Sequence, residues 1–169
     1  MTNPRKPFRI NVGFIVSESI GYNRDFDFVF DDIAISDDLR ITDFDGVVNI
    51  GRTPQGLIVQ GDFKGQTRLE CVRCLTEFPY TLHWNFTELY AFTKRSVSES
   101  GLLLPDDAHI DLQPLIREYA LLELPISPLC KPDCKGLCPE CGEDLNLTDC
   151  GHRPEPDSPF SALKDLLED

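Results

Sequence analysis

Eight side chains suited to binding a soft metal constrain this chain more than any other feature of its 169 residues. They are Cys71, Cys74, Cys130, Cys134, Cys138, Cys141, Cys150 and His152. Cys71 and Cys74, like Cys138 and Cys141, form Cys-x-x-Cys pairs, a spacing that lets two thiolates reach one ion from a single tight turn. Eight donors fill two tetrahedral shells, and thiolate-rich sets of this kind select zinc. The expectation is therefore two zinc ions, and at least one. Cys138, Cys141, Cys150 and His152 form a local quartet in "CPECGEDLNLTDCGH", where a glycine after the pair relieves crowding at the bend. Cys71 and Cys74 then fall to Cys130 and Cys134, far along the chain. A rival pairing puts Cys130, Cys134, Cys138 and Cys141 on one ion and leaves Cys71, Cys74, Cys150 and His152 for another.

Other uses of the thiols fit the sequence less well. No apolar run approaches the roughly 20 residues that span a bilayer, and the start has no apolar segment of signal-peptide length. The expected compartment is the cytoplasm, where a disulfide framework is disfavoured. A thiol redox enzyme using Cys71 and Cys74 is the alternative, but such pairs belong at a helix N-terminus that lowers the thiol pKa, and strand-like sequence surrounds this one. A catalytic zinc needs three ligands and an open position, whereas full quartets are on offer. No catalytic residue is assigned, and the chain reads as a non-enzyme. A purely structural zinc module for protein interaction stays open.

The formal charge of −13 repels nucleic acid in bulk. Its distribution is uneven. Asp25, Asp27, Asp31, Asp32, Asp37, Asp38, Asp43 and Asp45 crowd one stretch, while Arg68, Arg73, Lys131, Lys135 and Arg153 lie in or beside the cysteine motifs. A run of acids is ordinarily a solvated face, with docking of a basic protein as the functional alternative.

The first two thirds alternate apolar and polar residues with the period of a strand. Phe8, Ile10, Val12 and Phe14 share one face, as do Phe26, Phe28 and Phe30, then Leu57, Val59 and Phe63, then Phe78, Tyr80, Leu82, Trp84 and Phe86. Gly51, Pro54 and Gly56 mark a hairpin between two of these runs. His83 falls on the polar face of the last and reads as a surface histidine. After a polar connection over residues 94–109 the period changes, and Leu112, Leu115, Ile116, Tyr119 and Leu122 predict a helix over 111–124, with Asp111 as N-cap and Pro125 as stop. The fold class is α+β: a mainly antiparallel sheet or partly closed barrel with one packed helix and a C-terminal zinc-bound cysteine module. The divisions are a β-rich core over 1–125, the cysteine module over 126–153, and a short helical tail over 154–169 carrying Phe160, Leu163 and Leu167.

The order of "LECVRCLTEFPYTL", "IDLQPLIREYALLELPISPLC", "CKGLCPECGEDLN" and "SPFSALKDLL" resembles the YceD-like family of large ribosomal RNA subunit accumulation proteins. The resemblance covers Gly61 to Leu167. It implies a cytosolic factor, plastid in plants, that supports accumulation or processing of large-subunit ribosomal RNA in ribosome biogenesis, without catalytic activity. Its partners would be precursor large-subunit ribosomal RNA or ribosome assembly proteins, with no membrane and no small-molecule substrate. An acidic protein can still bind RNA through a local basic surface beside a zinc knuckle. The candidates for such contact are Arg68, Arg73, Lys131, Lys135 and Arg153, whose bland reading is solubilising charge around metal thiolates.

Overall fold

The computed structural model describes residues 6–152. It divides into two compact units. Among the described residues one comprises 6–68 together with Pro79–Ile126; the other comprises Leu69–Phe78 together with 127–152.

The first unit is built on long strands. β1 (Arg9–Asn11) is followed by a single helical turn, α1 (Gly13–Val16), then by β2 (Asn23–Ser36), β3 (Leu39–Arg52), β4 (Gly56–Glu70) and β5 (Glu77–Ala91). β6 (His109–Asp111) and α2 (Gln113–Leu122) complete it. β2 to β5 form a four-stranded meander in chain order, and β1 pairs antiparallel with β6 as a separate ribbon. β2 and β5 are the two edges of the larger sheet, which is open; the partly closed barrel is not formed. The Thr53–Gln55 turn joins β3 to β4 where Pro54 and Gly56 predict it, with Thr53 Oγ1 donating 2.8 Å to the Gly56 carbonyl.

The alternating pattern sets the faces. Phe28, Phe44, Phe63, Trp84 and Phe86 are buried on one side of the sheet; the last four have neighbouring ring centroids 5.5–5.9 Å apart, and Phe28 packs on Phe8 at 5.5 Å. Full burial of each such ring is worth about 1.5–3 kcal/mol. Gly46 and Gly61 let the Phe63 ring lie across the strands, because a Cβ at either position would sit 2.1 or 2.5 Å from it. α2 closes this face with Leu115, Ile116 and Ala120 buried. Tyr119 stacks near Phe86 at 5.2 Å and donates 2.7 Å to Glu88.

Three local expectations are corrected. Phe14 does not continue the first strand: the Asn11 side chain accepts the Gly13 N–H at 2.9 Å and turns the chain into α1, leaving Phe14 largely exposed. Asp111 lies in β6 and not at the N-cap itself, although its carboxylate accepts the Gln113 N–H at 3.1 Å and so does a cap's work. Leu122, expected in the apolar stripe, is 73% exposed; Leu121 and Leu124 pack on the core instead as α2 ends. His83 is exposed beside Asp62 at 3.2 Å. The helical tail expected over 154–169 lies outside the described residues.

Candidate metal centre

The second unit contains all eight candidate donors. Two turns of identical construction present the Cys-x-x-Cys pairs. In the first, the Cys71 N–H reaches the Thr76 carbonyl at 3.0 Å and the Leu75 N–H returns to the Cys71 carbonyl at 2.9 Å. In the second, Cys138 and Glu143 make the matching bond at 2.8 Å, and Gly142 and Cys138 the return bond at 2.9 Å. Each turn needs a left-handed residue directly after its second cysteine: Gly142 at φ 75° in one, Leu75 at φ 58° in the other. Reversing the chain there aims two thiols and two backbone N–H groups into one small space.

The electrostatics follow from that geometry. Burial pushes the Cys71 thiol up, but the N–H groups of Cys130, Cys74 and Arg73 point at its sulfur and hold it down at about 6. In the second turn the N–H groups of Cys141 and Glu140 hold Cys138 at about 7. Both knuckles therefore stabilise a thiolate with donors two and three residues further on. The Thr76 hydroxyl and N–H lower Cys74. Cys130, desolvated and facing its neighbours' sulfurs, is pushed up to about 12.

The chain brings Cys71, Cys74, Cys130 and Cys134 into one cluster and Cys138, Cys141, Cys150 and His152 into another, each with its donor atoms within 4.8 Å of one another. The rival division is not the one adopted. In the first cluster Cys71 and Cys134 stand 3.8 Å apart and Cys74 and Cys130 3.6 Å. Four sulfurs on a tetrahedral zinc at about 2.3 Å are separated by about 3.8 Å, so two opposite edges of that tetrahedron are already in place. The donor set and spacing fit a thiolate-bound metal ion, and all seven cysteines are free of disulfides. The clusters differ in exposure: Cys71, Cys74 and Cys134 are buried, whereas Cys141 and His152 are exposed.

Hydrogen bonds couple the clusters within the unit. The Leu137 N–H reaches the Arg73 carbonyl at 3.0 Å, and the Arg73 guanidinium donates 2.9 Å to the Cys134 carbonyl. Asn146 donates 3.4 Å to the Cys134 sulfur, accepts the Lys135 N–H at 2.9 Å and is held by Asp144 at 2.7 Å. Sequence reasoning passed over Asn146, for which no spacing rule exists, and Leu75. A signal for Leu75 was present: "CVRCLTE" aligns with "CPECGED", placing leucine where the second knuckle has glycine.

The basic candidates scatter. Arg73 serves the knuckle itself, Lys131 and Lys135 are exposed in the second unit, Arg68 lies in the first unit near the end of β4, and Arg153 lies outside the described residues. The second unit's described residues carry three lysines and arginines against seven aspartates and glutamates. Thiolates bound to zinc would add further negative charge.

An open antiparallel sheet in one unit and, in the other, a double cysteine knuckle whose two four-donor clusters could each hold a metal ion define a β-sheet protein with a candidate metal-binding module. The chain belongs to the family described as large ribosomal RNA subunit accumulation protein YceD, whose family model matches residues 59–167. The family is named for accumulation of the large ribosomal RNA subunit. An uncharacterized protein of Mycobacterium tuberculosis strain H37Rv is 37% identical over 67% of this chain and 56% of its own length. The uncharacterized protein YlbN of Bacillus subtilis is 28% identical over 62% of each chain. The chloroplastic YCED homolog 1 of Arabidopsis thaliana, named as a large ribosomal RNA subunit accumulation protein, is 39% identical over 38% of this chain and 20% of its own. The chain thus spans little more than half the length of its mycobacterial relatives. No solved structure matches it. No helix among the described residues is long and apolar enough to cross a membrane.

Proposed function

We propose that the chain is a non-enzymatic cytoplasmic factor that supports large-subunit ribosomal RNA accumulation by holding a basic assembly protein, with zinc in both clusters as structural metal. The state of the charges carries this reading. Arg9, Arg40, Lys64 and Arg117 are each tied to an aspartate, and Arg52 donates to backbone carbonyls and lies 4.8 Å over the Phe92 ring. Arg24, Lys94, Arg95, Lys131 and Lys135 make no such contact among the described residues, and five cations set against 24 described acids are a poor match for a phosphate backbone, whose binding depends on cations. Acids are in excess on both units, which favours a basic partner.

Zinc would be held by Cys71, Cys74, Cys130 and Cys134 in one site and by Cys138, Cys141, Cys150 and His152 in the other. Its chemistry there is to cross-link segments distant in sequence; metal binding of this kind is folding free energy, on the order of 10 kcal/mol per site. The chain's own contribution is to hold the thiolates with backbone N–H groups and to exclude water from Cys71 and Cys134. The thiol redox alternative draws on the lowered Cys71 pKa, but that sulfur is fully buried among three others, where no substrate disulfide reaches it.

In-cell ultraviolet crosslinking of the tagged protein, paired with chemical protein crosslinking, tests the reading. The expected result is capture of basic ribosomal or assembly proteins without a sharp peak in precursor large-subunit RNA. A sharp RNA peak would replace docking with direct RNA contact, centred on Lys131, Lys135, Arg68 and Arg153.

A further inference from the structure

We infer that the free edge of β2 is a docking site for an extended, basic segment of a partner protein that adds to the sheet as a further strand. This rests on the protein-docking reading above and names its site and its partner's pattern. β2 runs for 14 residues at the edge of the sheet. Among the described residues no backbone hydrogen bond beyond those to β3 involves Asn23–Ser36; α2 packs near its last residues, where Gln113 donates to the Ile35 carbonyl and Arg117 to the Ser36 hydroxyl. An unpaired row of N–H and C=O groups of this length is a template for strand addition.

The side chains beside that edge specify what can add. On the outward face Asp27 and Asp31 flank Val29, which is 70% exposed, and neither acid has a partner among the described residues. On the other face a cavity of about 440 Å³ opens beside Phe26 and Phe28, lined by Ile10, Phe14 and, at its polar side, Arg9, Asn11 and Asp27. Phe14 is 46% exposed in it. An added strand alternates its side chains between the two faces. The fitting segment therefore carries lysine or arginine opposite Asp27 and Asp31, four residues apart on one face, and an apolar residue for the cavity beside Phe26 and Phe28 on the other.

Charge excludes two other occupants. Residues 153–169 hold five acids against two bases, and a second copy of the chain brings a net charge of −13. Both repel the β2 face.

The test uses the full zinc-loaded chain and a synthetic peptide alternating lysine with valine, compared with a peptide of equal composition in blocks. The alternating peptide is expected to bind about tenfold more tightly, to protect β2 amides from hydrogen exchange, and to lose about tenfold in affinity with Asp27→Lys/Asp31→Lys. Equal binding of both peptides without β2 protection would overturn the edge proposal and leave the wider docking reading standing. Protection of the β2 amides that point away from β3, before any peptide is added, would assign the edge to another part of the chain and overturn it too. Binding of neither peptide, with strong crosslinking to RNA in cells, would sink both.

Discussion

Gly142 and Leu75 occupy the same place in two matching knuckles, and substitutions there are predicted to have opposite signs. Gly142 has φ 75° and nothing within 4 Å of where its Cβ would lie. Gly142→Ala therefore introduces no clash, and its whole cost is backbone conformation. A left-handed residue with a Cβ costs about 1–2 kcal/mol, part of which is offset by about 0.4–1 kcal/mol from the stiffer unfolded chain. The net loss is about 1 kcal/mol, or about fivefold in zinc affinity at the second cluster. Leu75 already bears that strain at φ 58° and is 56% exposed, so Leu75→Gly gives up little packing. It should tighten the first cluster by up to about threefold, since relief of strain is partly offset by the freedom of the unfolded glycine. Competition for zinc against a chromophoric chelator reads both. Two substitutions that move affinity in the same direction would refute the equivalence of the knuckles.

Asn146→Ala removes a side-chain amide from the Cys134 sulfur and should weaken zinc at the first cluster by about tenfold, read by the same chelator competition. Gly46→Ala drives a methyl to 2.1 Å from the Phe63 ring, so thermal unfolding should show a loss of about 1–3 kcal/mol with zinc content unchanged. Arg117, then Ser36, hold the Asp38 carboxyl down at about 2. Its folded value lies below the ordinary 3.8, so this contact supports folding above about pH 3.8 and is lost as pH falls through 2. An NMR titration should place the Asp38 midpoint near 2 and return it towards the ordinary carboxylate range in Arg117→Gln.

Much of this architecture was legible because its determinants are local and periodic. "DFDFVF" and "GLIVQGDF" state their buried faces by simple alternation, and the faces observed are those. Ligand clustering was legible for a chemical reason: thiols at such spacing have few stable uses in a short chain. The missed features depend on contacts the pattern does not encode. The strand period through Phe14 continues in sequence, and only the Asn11 side chain's claim on the Gly13 N–H ends it. Pairing of β1 with β6 joins residues about a hundred positions apart, and three-residue strands carry too short a pattern to announce themselves. Leu75 hides a left-handed turn behind a residue that seldom adopts one.

The central claim is that this chain closes two tetrahedral metal sites with its own side chains. X-ray absorption at the zinc edge of the metal-loaded protein tests it most directly. Seven thiolates and one imidazole shared by two ions give a mean shell of about 3.5 sulfurs near 2.3 Å and about 0.5 nitrogen near 2.0 Å. Removing Cys71 as Cys71→Ser should leave one ion with three sulfurs and one nitrogen. A water oxygen in the wild-type shell, or loss of both ions from Cys71→Ser, would contradict two closed and separate sites.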